Sequence, residues 1–373
     1  MPASTSRRGR PLRAAVAVFA AASLAAAGCA KTSESDQAAA QGEFPEKITM
    51  TIPFSEGGGT DTWARFMDPY LEKNLPNEPA ILPENVPAGE GITGPNQFVE
   101  EGSTDGTEVL AASGTTYFQW MLRHPQVKYD FSKMRPLLVN GTGGAIYSSS
   151  AAGLRDASDL ANPPKPLTYA GISASGLDLS MLIAFDLLDV NIDATWGLEG
   201  RDLAVLAMER GEVNIDYQTT SAYKSDVQPM VDEGKAVPLM SFGVLEDGKV
   251  VRDPALPDLP TVPEVYEQLN GEPPSGPAWD AYKAFLAAGF DYQKGLWANQ
   301  GTPDEIVSAY QDSVKPMTSD PKFQKGAEEA LGGYPLSRGD EVETEMREAF
   351  TITSAVRKYA LDLLATKYDT KFG

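Results

Sequence analysis

The stretch that decides the fold reads PFSEGGGTDTWAR and occupies residues 53–65. The segment that leads into it, ITMTIPF at 48–54, is short, β-branched and alternating, which predicts a strand. Apolar residues then recur at helical spacing through 62–73, and Thr60 or Asp61 can cap the helix. A glycine-rich turn between a strand and a helix exposes backbone N–H groups to a ligand. Such a loop can hold a carboxylate without any arginine or lysine.

Other strand-like stretches run into loops of the same kind. The segment at 79–86 leads to a glycine-rich loop at 87–94, and TEVLAAS at 107–113 ends in a Ser/Thr-rich turn. Further strands are predicted at 166–173 and 212–218. Strands that feed helices throughout predict an α/β fold with helices on both faces of the sheets. In open α/β sheets, ligands bind outside the carboxyl ends of the strands, so these loops form the predicted site.

The composition excludes several classes of function. A length of 373 residues suggests two domains, and 52 acidic against 31 basic residues argue against a general nucleic-acid binder. With one cysteine, Cys29, and one histidine, His124, the chain has no disulfide framework, no Cys-based zinc site and no His-cluster metal site. We predict neither a metal nor a cofactor.

Residues 1–28 have the organisation of a secretory signal peptide. Four arginines between positions 7 and 13 precede an apolar run at 14–27 that is too short and alanine-rich for a permanent membrane span. The run ends in LAAAGC, which resembles a bacterial lipobox with Cys29 first in the mature chain. We therefore predict lipidation of Cys29, a flexible tether at 29–43 and anchoring to the outer face of the cytoplasmic membrane.

The loops resemble those of the substrate-binding proteins of tripartite tricarboxylate transporters, the Bug or TctC-like family. The family's Pro-Phe-x-x-Gly-Gly-Gly-Thr-Asp-x-x-Ala-Arg signature matches residues 53–65 completely. Its Glu-Asn-x-Pro-Gly-Ala-Gly-Gly loop is similar to residues 84–91, and its Leu-Pro-Asp-Val-Pro-Thr-Val-x-Glu stretch resembles residues 256–264. The matches keep the same order from about Ile48 to about Gly333.

The resemblance implies a two-domain, type II periplasmic-binding-protein fold with a ligand cleft between the domains. Domain 1 is predicted at 44–143 and 239–373, and domain 2 at 144–238. In this family the backbone amides of the first two loops hold a ligand carboxylate, and the loaded protein docks on integral membrane subunits of the transporter. We therefore expect an exported, monomeric solute-binding lipoprotein, without catalysis, that captures a small organic carboxylate and delivers it to such a transporter.

The predicted ligand-binding residues all lie in loops that follow strands. They are Phe54, Ser55, Glu56, Gly57, Gly58, Gly59, Thr60, Asp61, Ala88, Gly89, Glu90, Gly91, Ser113, Thr115, Ser173, Ser175, Gln218 and Thr219. Three carboxylates could border this cleft, because Glu56 and Glu90 lie in its loops and Glu199 stands where the family usually has a lysine. They would repel a polyanion, which favours a monocarboxylate with an amine or hydroxyls over a citrate-like ligand.

Two other functions fit parts of the same pattern. An exported small-ester hydrolase would use a loop serine, but the chain has no Gly-x-Ser-x-Gly elbow and His124 lies in an unpromising turn. A sensor would use the same cleft and pass ligand occupancy to a membrane histidine kinase. The sequence does not separate such a sensor from a transport protein.

Overall fold

The computed structural model describes residues 44–372. The predicted signal peptide, Cys29 and the tether therefore lie outside the described residues. Within the described part of the chain, no helix is long and apolar enough to cross a membrane.

Strands and helices alternate along most of the chain. The strands are β1 Lys47–Ile52, β2 Ala80–Asn85, β3 Glu108–Ser113, β4 Arg135–Asn140, β5 Gly144–Ser149, β6 Leu167–Gly171, β7 Ile192–Trp196, β8 Ile215–Thr219, β9 Ala236–Ser241, β10 Val244–Glu246, β11 Lys249–Val251, β12 Lys294–Ala298 and β13 Leu336–Arg338. The helices are α1 Gly59–Asn74, α2 Thr93–Glu101, α3 Gly114–Met121, α4 Leu179–Leu187, α5 Asp202–Glu209, α6 Thr220–Ala222, α7 Gln228–Asp232, α8 Val262–Asn270, α9 Pro277–Leu286, α10 Asp304–Ser319, α11 Pro321–Ala330, α12 Gly339–Ala349 and α13 Ser354–Lys367.

The larger sheet is built from the two ends of the described chain. Its strands lie in the order β13-β4-β12-β3-β1-β2. Strand β1 is parallel to β2 and β3, whereas β12 is antiparallel to β3 and β4. The carboxyl ends of β1 and β3 and the first residue of β12 therefore lie at the same edge of the sheet.

The middle of the chain forms a second group of strands. Strands β8, β5 and β9 make an antiparallel sheet, and β6 pairs with β7 in parallel. Backbone N–H of Asn214 donates to the carbonyl of Thr168 at 3.0 Å, which ties the two sheets together. The chain passes from β4 to β5 at 140–144 and β9 continues to Ser241. The domain borders at 143/144 and 238/239 stay predictions.

Both faces of the larger sheet are covered by apolar residues. Along β12, Leu296 belongs to the core that includes Trp63 of α1, while Trp297 belongs to the core on the opposite face. Successive side chains of a strand point to opposite faces, so this alternation places packed material on each side. The core around Trp297 also contains Phe185 of α4, so the two groups of strands share it. The α/β class predicted from the sequence is confirmed.

Helix α1 begins earlier than the sequence predicts. Gly58 is the N-cap residue, with an extended backbone and no capping side chain, and neither Thr60 nor Asp61 takes that role. The helix follows directly on the glycine turn because its Trp63, Met67 and Leu71 are buried at helical spacing against the sheet. The first turn of α1 therefore lies at the carboxyl end of β1.

Candidate functional site

A cavity of about 750 Å³ lies between the two groups of strands. From the larger sheet it is lined by the loop after β1, the first turn of α1, the residues after β3 and the start of β12. From the second group it is lined by the loop after β6, the start of α5 and the end of β8. These are the strand ends at which an open α/β sheet binds its ligands.

The glycine loop is held open by one carboxylate. Oδ2 of Asp61 accepts the backbone N–H of Gly57 at 2.9 Å, where the chain turns through a φ of 81°. Oδ1 of the same residue accepts Nε of Arg65 at 2.8 Å and Nδ2 of Asn85 at 2.9 Å. Although burial opposes the charge, these hydrogen bonds hold the pKa of Asp61 below its usual value. Asp61 therefore shapes the loop from which α1 starts, and the first N–H groups of α1, like those of any α-helix, have no intrahelical acceptors.

Ten of the predicted ligand-binding residues line this cavity. They are Phe54, Gly57, Gly58, Gly59, Thr60, Asp61, Ser113, Thr115, Gln218 and Thr219. Two of them also hold the surrounding structure, because Thr115 Oγ1 accepts the backbone N–H of Leu177 at 3.2 Å and Gln218 Nε2 donates to the carbonyl of Arg201 at 3.0 Å. The first of these bonds joins the two walls of the cavity.

The other eight predicted residues are outside the cavity lining. They are Ser55, Glu56, Ala88, Gly89, Glu90, Gly91, Ser173 and Ser175. The second loop instead packs behind Phe54, since a Cβ added to Gly91 would come within 2.8 Å of the Phe54 ring. The hydroxyls of Ser173 and Ser175 are buried and lie 3.1 Å apart. The N–H of Ser55 donates to the carbonyl of Glu199 at 3.0 Å, a second link between the walls.

The acidic side chains of the cavity differ from those expected. Glu56, Glu90 and Glu199 are exposed and none of them lines the cavity, so their side chains do not support the predicted repulsion of polyanions. Asp202, at the start of α5, lines it instead, and a Cβ added to Gly58 would lie 3.5 Å from its Oδ1. Burial raises the pKa of Asp202. Asp226 is an exposed acidic residue of the lining.

Arg201 forms the wall of the cavity beside Asp202. Its guanidinium pairs with the buried carboxylates of Asp178, at 3.0 Å, and Asp216. It donates to the hydroxyl of Tyr169 at 2.8 Å and stacks 4.3 Å from the ring centre of Tyr217. Burial opposes its charge, but Asp216 and the other partners outweigh that effect and raise the pKa of Arg201 above its usual value. The sequence reasoning missed this cluster.

Lys294 is the most unusual residue of the cavity and was also missed. It is the first residue of β12 and only 4% of it is exposed. Among the described residues its ammonium has neither a hydrogen-bond acceptor nor an ion-pair partner. A Cβ added to Gly59 would lie 3.9 Å from its Nζ, so the ammonium lies next to the first turn of α1. Burial lowers the pKa of Lys294 to about 8.

The described residues contain no cluster of three or more His, Cys, Asp or Glu side chains that could hold a metal ion. His124 lies outside the cavity lining, half-buried against the ring of Phe372. The cavity therefore offers hydrogen-bond donors and the ammonium of Lys294 to a ligand, beside an arginine that is already paired. The lining residues that the structure describes include no histidine.

Comparison with solved structures identifies the fold. BugD, described as a periplasmic binding protein, superposes with a TM-score of 0.66 at 20% identity, over 88% of this chain and 100% of that one. This chain has the fold of the Bug periplasmic binding proteins. MatC from Rhodopseudomonas palustris, solved with malate, gives a TM-score of 0.64 at 20% identity over 84% and 98% of the two chains. A second R. palustris protein, solved with adipate, gives 0.63 at 19% identity over 84% and 97%.

The Bug-type fold confirms the two-domain architecture that the sequence predicts, with a cleft between the domains. The likeness lies in the structure, since no family model and no curated protein sequence matches the chain. The cavity described above is at that cleft.

Replacing Arg201 tests the buried cluster. We expect Arg201→Leu to lower the free energy of unfolding by about 3–5 kcal/mol, because it leaves two buried carboxylates without a cation. The exposed Arg155, which pairs with Asp159 at 2.7 Å, provides the control, and Arg155→Leu should leave the melting temperature nearly unchanged. Urea unfolding followed by circular dichroism measures both variants. Equal effects would show that the cluster contributes no more than a surface pair.

Lys294 makes a pH-dependent prediction about stability. Its pKa is lowered from 10.5 to about 8, so the folded protein releases a proton that the unfolded chain still holds between pH 8 and pH 10.5. The free-energy penalty for burying the charged ammonium is therefore complete only below about pH 8. We expect Lys294→Met to raise the free energy of unfolding of the ligand-free protein by about 3 kcal/mol near pH 7, and by less near pH 10. Unfolding curves at both pH values measure this. A gain that does not depend on pH would contradict a charged Lys294.

Proposed function

We propose that this protein is an exported solute-binding protein that captures a small organic carboxylate in the cavity between its domains. The observation that supports this most directly is the first turn of α1, which opens into the cavity beside Gly58 and Gly59. The partial positive charge of a helix N-terminus and its free N–H groups suit a carboxylate. The fold is that of periplasmic binding proteins, and two proteins with this fold were solved with the carboxylates malate and adipate.

A role in transport follows from the same proposal. The captured carboxylate would be delivered to integral membrane subunits of a tripartite tricarboxylate-type transporter, and Cys29 would carry the lipid that keeps the protein at the outer face of the cytoplasmic membrane. The alternative of a sensor feeding a membrane histidine kinase uses the same cavity and differs only in the docking partner. A hydrolase is less well supported, because His124 lies outside the cavity lining.

A thermal-shift screen of the purified protein against small carboxylates, amino acids and neutral solutes tests the capture step. A ligand at 100 times its dissociation constant should stabilise the folded protein by about 2.7 kcal/mol. We expect stabilisation by carboxylates and none by their amides, because the amide lacks the charge that the helix N-terminus favours. Stabilisation by neutral solutes alone would contradict the proposal.

Gly58→Asp checks where the carboxylate binds. The φ of Gly58 is −67°, so a side chain causes no backbone strain there. Its Cβ would lie 3.2 Å from the Ser55 carbonyl and 3.5 Å from Oδ1 of Asp202, and the new carboxylate would repel an anionic ligand. We expect a loss of affinity at least about tenfold greater than that of Gly58→Asn, which has the same shape without the charge. Equal affinities of the two variants would place the ligand elsewhere.

Fractionation of cells tests the anchor. We expect the wild-type protein in the membrane fraction and Cys29→Ser in the soluble fraction of the envelope, because serine cannot carry a thioether-linked lipid. Immunoblots of both fractions measure the distribution. If both proteins stay in the soluble fraction, the chain is exported without a lipid.

A further inference from the structure

The start of β12 places a charged residue where the sheet edge meets the cavity. Lys294 pairs in register with Ser113, the last residue of β3, and with Asn140, the last residue of β4. It shares its face of the strand with the buried Leu296 and Ala298. The position would suit an apolar side chain, so the presence of a lysine calls for another explanation.

The other cations of the cavity wall are already neutralised. Arg65 pairs with Asp61 at 2.8 Å, and Arg201 pairs with Asp178 and Asp216. Among the lining residues that the structure describes, Lys294 is the cation without a carboxylate partner. Burying an ammonium without a partner is unfavourable, and a ligand carboxylate would supply the missing charge.

The surroundings of Nζ point to the same ligand group. The ammonium lies next to Gly59, in the first turn of α1, and there the helix N-terminus also favours negative charge. Two independent features, a buried lysine and a helix terminus, therefore converge on one small volume. By contrast, the wall beyond Gly58 presents Asp202, and the exposed Asp226 and Glu329 also line the cavity.

We propose that Lys294 is the counter-ion for a single ligand carboxylate, bound between its ammonium and the first turn of α1, and that the acidic remainder of the cavity disfavours a second carboxylate. This inference rests on the proposed function and names its ligand class. The ligands are monocarboxylates whose other end is neutral or positively charged.

The pairing predicts how affinity depends on pH. A carboxylate binds the protonated lysine, so affinity should fall above about pH 8 by roughly tenfold per unit. The other titratable groups that face the cavity are Asp61 and Arg65 of α1, Arg201 and Asp202 at α5, Tyr217 of β8 and the exposed Asp226 and Glu329. The pKa values of Arg65, Arg201 and Tyr217 are raised, which keeps these groups in their usual charge state over this range.

A matched series of five-carbon ligands tests the proposal by calorimetry. Pentanoate carries a methyl group, 5-aminopentanoate an ammonium and glutarate a second carboxylate at the far end. We expect the first two to bind the wild-type protein near pH 7, and glutarate to bind at least about tenfold more weakly. Lys294→Met should weaken pentanoate binding by about thirtyfold or more and remove the pH dependence. Lys315 is an exposed lysine outside the cavity lining. The control variant Lys315→Met therefore makes the same change of charge and should bind pentanoate as tightly as the wild type does.

A second variant supplies the carboxylate from within the chain. Outside its own helix, the atom that a Cβ added to Gly59 would meet within 4 Å is Nζ of Lys294, at 3.9 Å, so Gly59→Asp can pair with it. We expect this variant to have a higher melting temperature without ligand and to lose pentanoate binding, whereas Gly59→Asn should show no such stabilisation. This comparison does not depend on the folding of Lys294→Met.

The outcomes separate the inference from the function. If Lys294→Met binds pentanoate as tightly as the wild type does, with a flat pH profile in both, Lys294 is not the counter-ion and the carboxylate-binding function stands. If glutarate binds as tightly as pentanoate, the selection of monocarboxylates is wrong. If Gly59→Asp is no more stable than Gly59→Asn, the ammonium is not available to an anion. A wild-type protein that binds none of the three ligands at millimolar concentration contradicts the inference, and it contradicts the proposed function as well if no carboxylate of the thermal-shift screen stabilises it.

Discussion

The carboxylate of Asp61 is the contact on which the cavity depends. It gathers the N–H of Gly57, the guanidinium of Arg65 and the amide of Asn85, which belong to the turn, to α1 and to the end of β2. One side chain thus fixes the direction in which the chain leaves β1 and the place where α1 begins. Together with the burial of Trp63, Met67 and Leu71 against the sheet, these bonds hold the first turn of the helix beside the strand ends that surround it.

The glycine turn and its neighbours could be read from the sequence because their signals are local. A strand, three glycines and a helical apolar pattern follow one another within residues 48–73, and Ser113 ends another strand, with Thr115 just beyond it. Each such loop lies at a strand end, and strand ends of one sheet meet at one edge. The structure accordingly brings the three glycines of this turn to one cavity with Ser113, Thr115, Gln218 and Thr219.

The charged residues of the cavity could not be read in this way. Arg201 is buried because Asp178 and Asp216, distant in the sequence, reach it from separate elements. A lysine at the start of a short strand ordinarily extends into solvent, and nothing near Lys294 in the sequence shows that helix α1 covers it. The second loop was wrongly expected to line the cavity. Its Gly91 instead allows the loop to pack closely against the ring of Phe54.

The two hydrogen bonds between the cavity walls bear on the kinetics of ligand exchange. The bond from Leu177 to Thr115 and the bond from Ser55 to Glu199 both break when the walls separate, and water replaces their partners. Each contributes about 1 kcal/mol net, so together they favour the closed arrangement by about 2 kcal/mol over one in which both are broken. Under the proposed function, a solute that enters or leaves when the walls separate must break both bonds, so its residence time depends on them as well as on its own contacts.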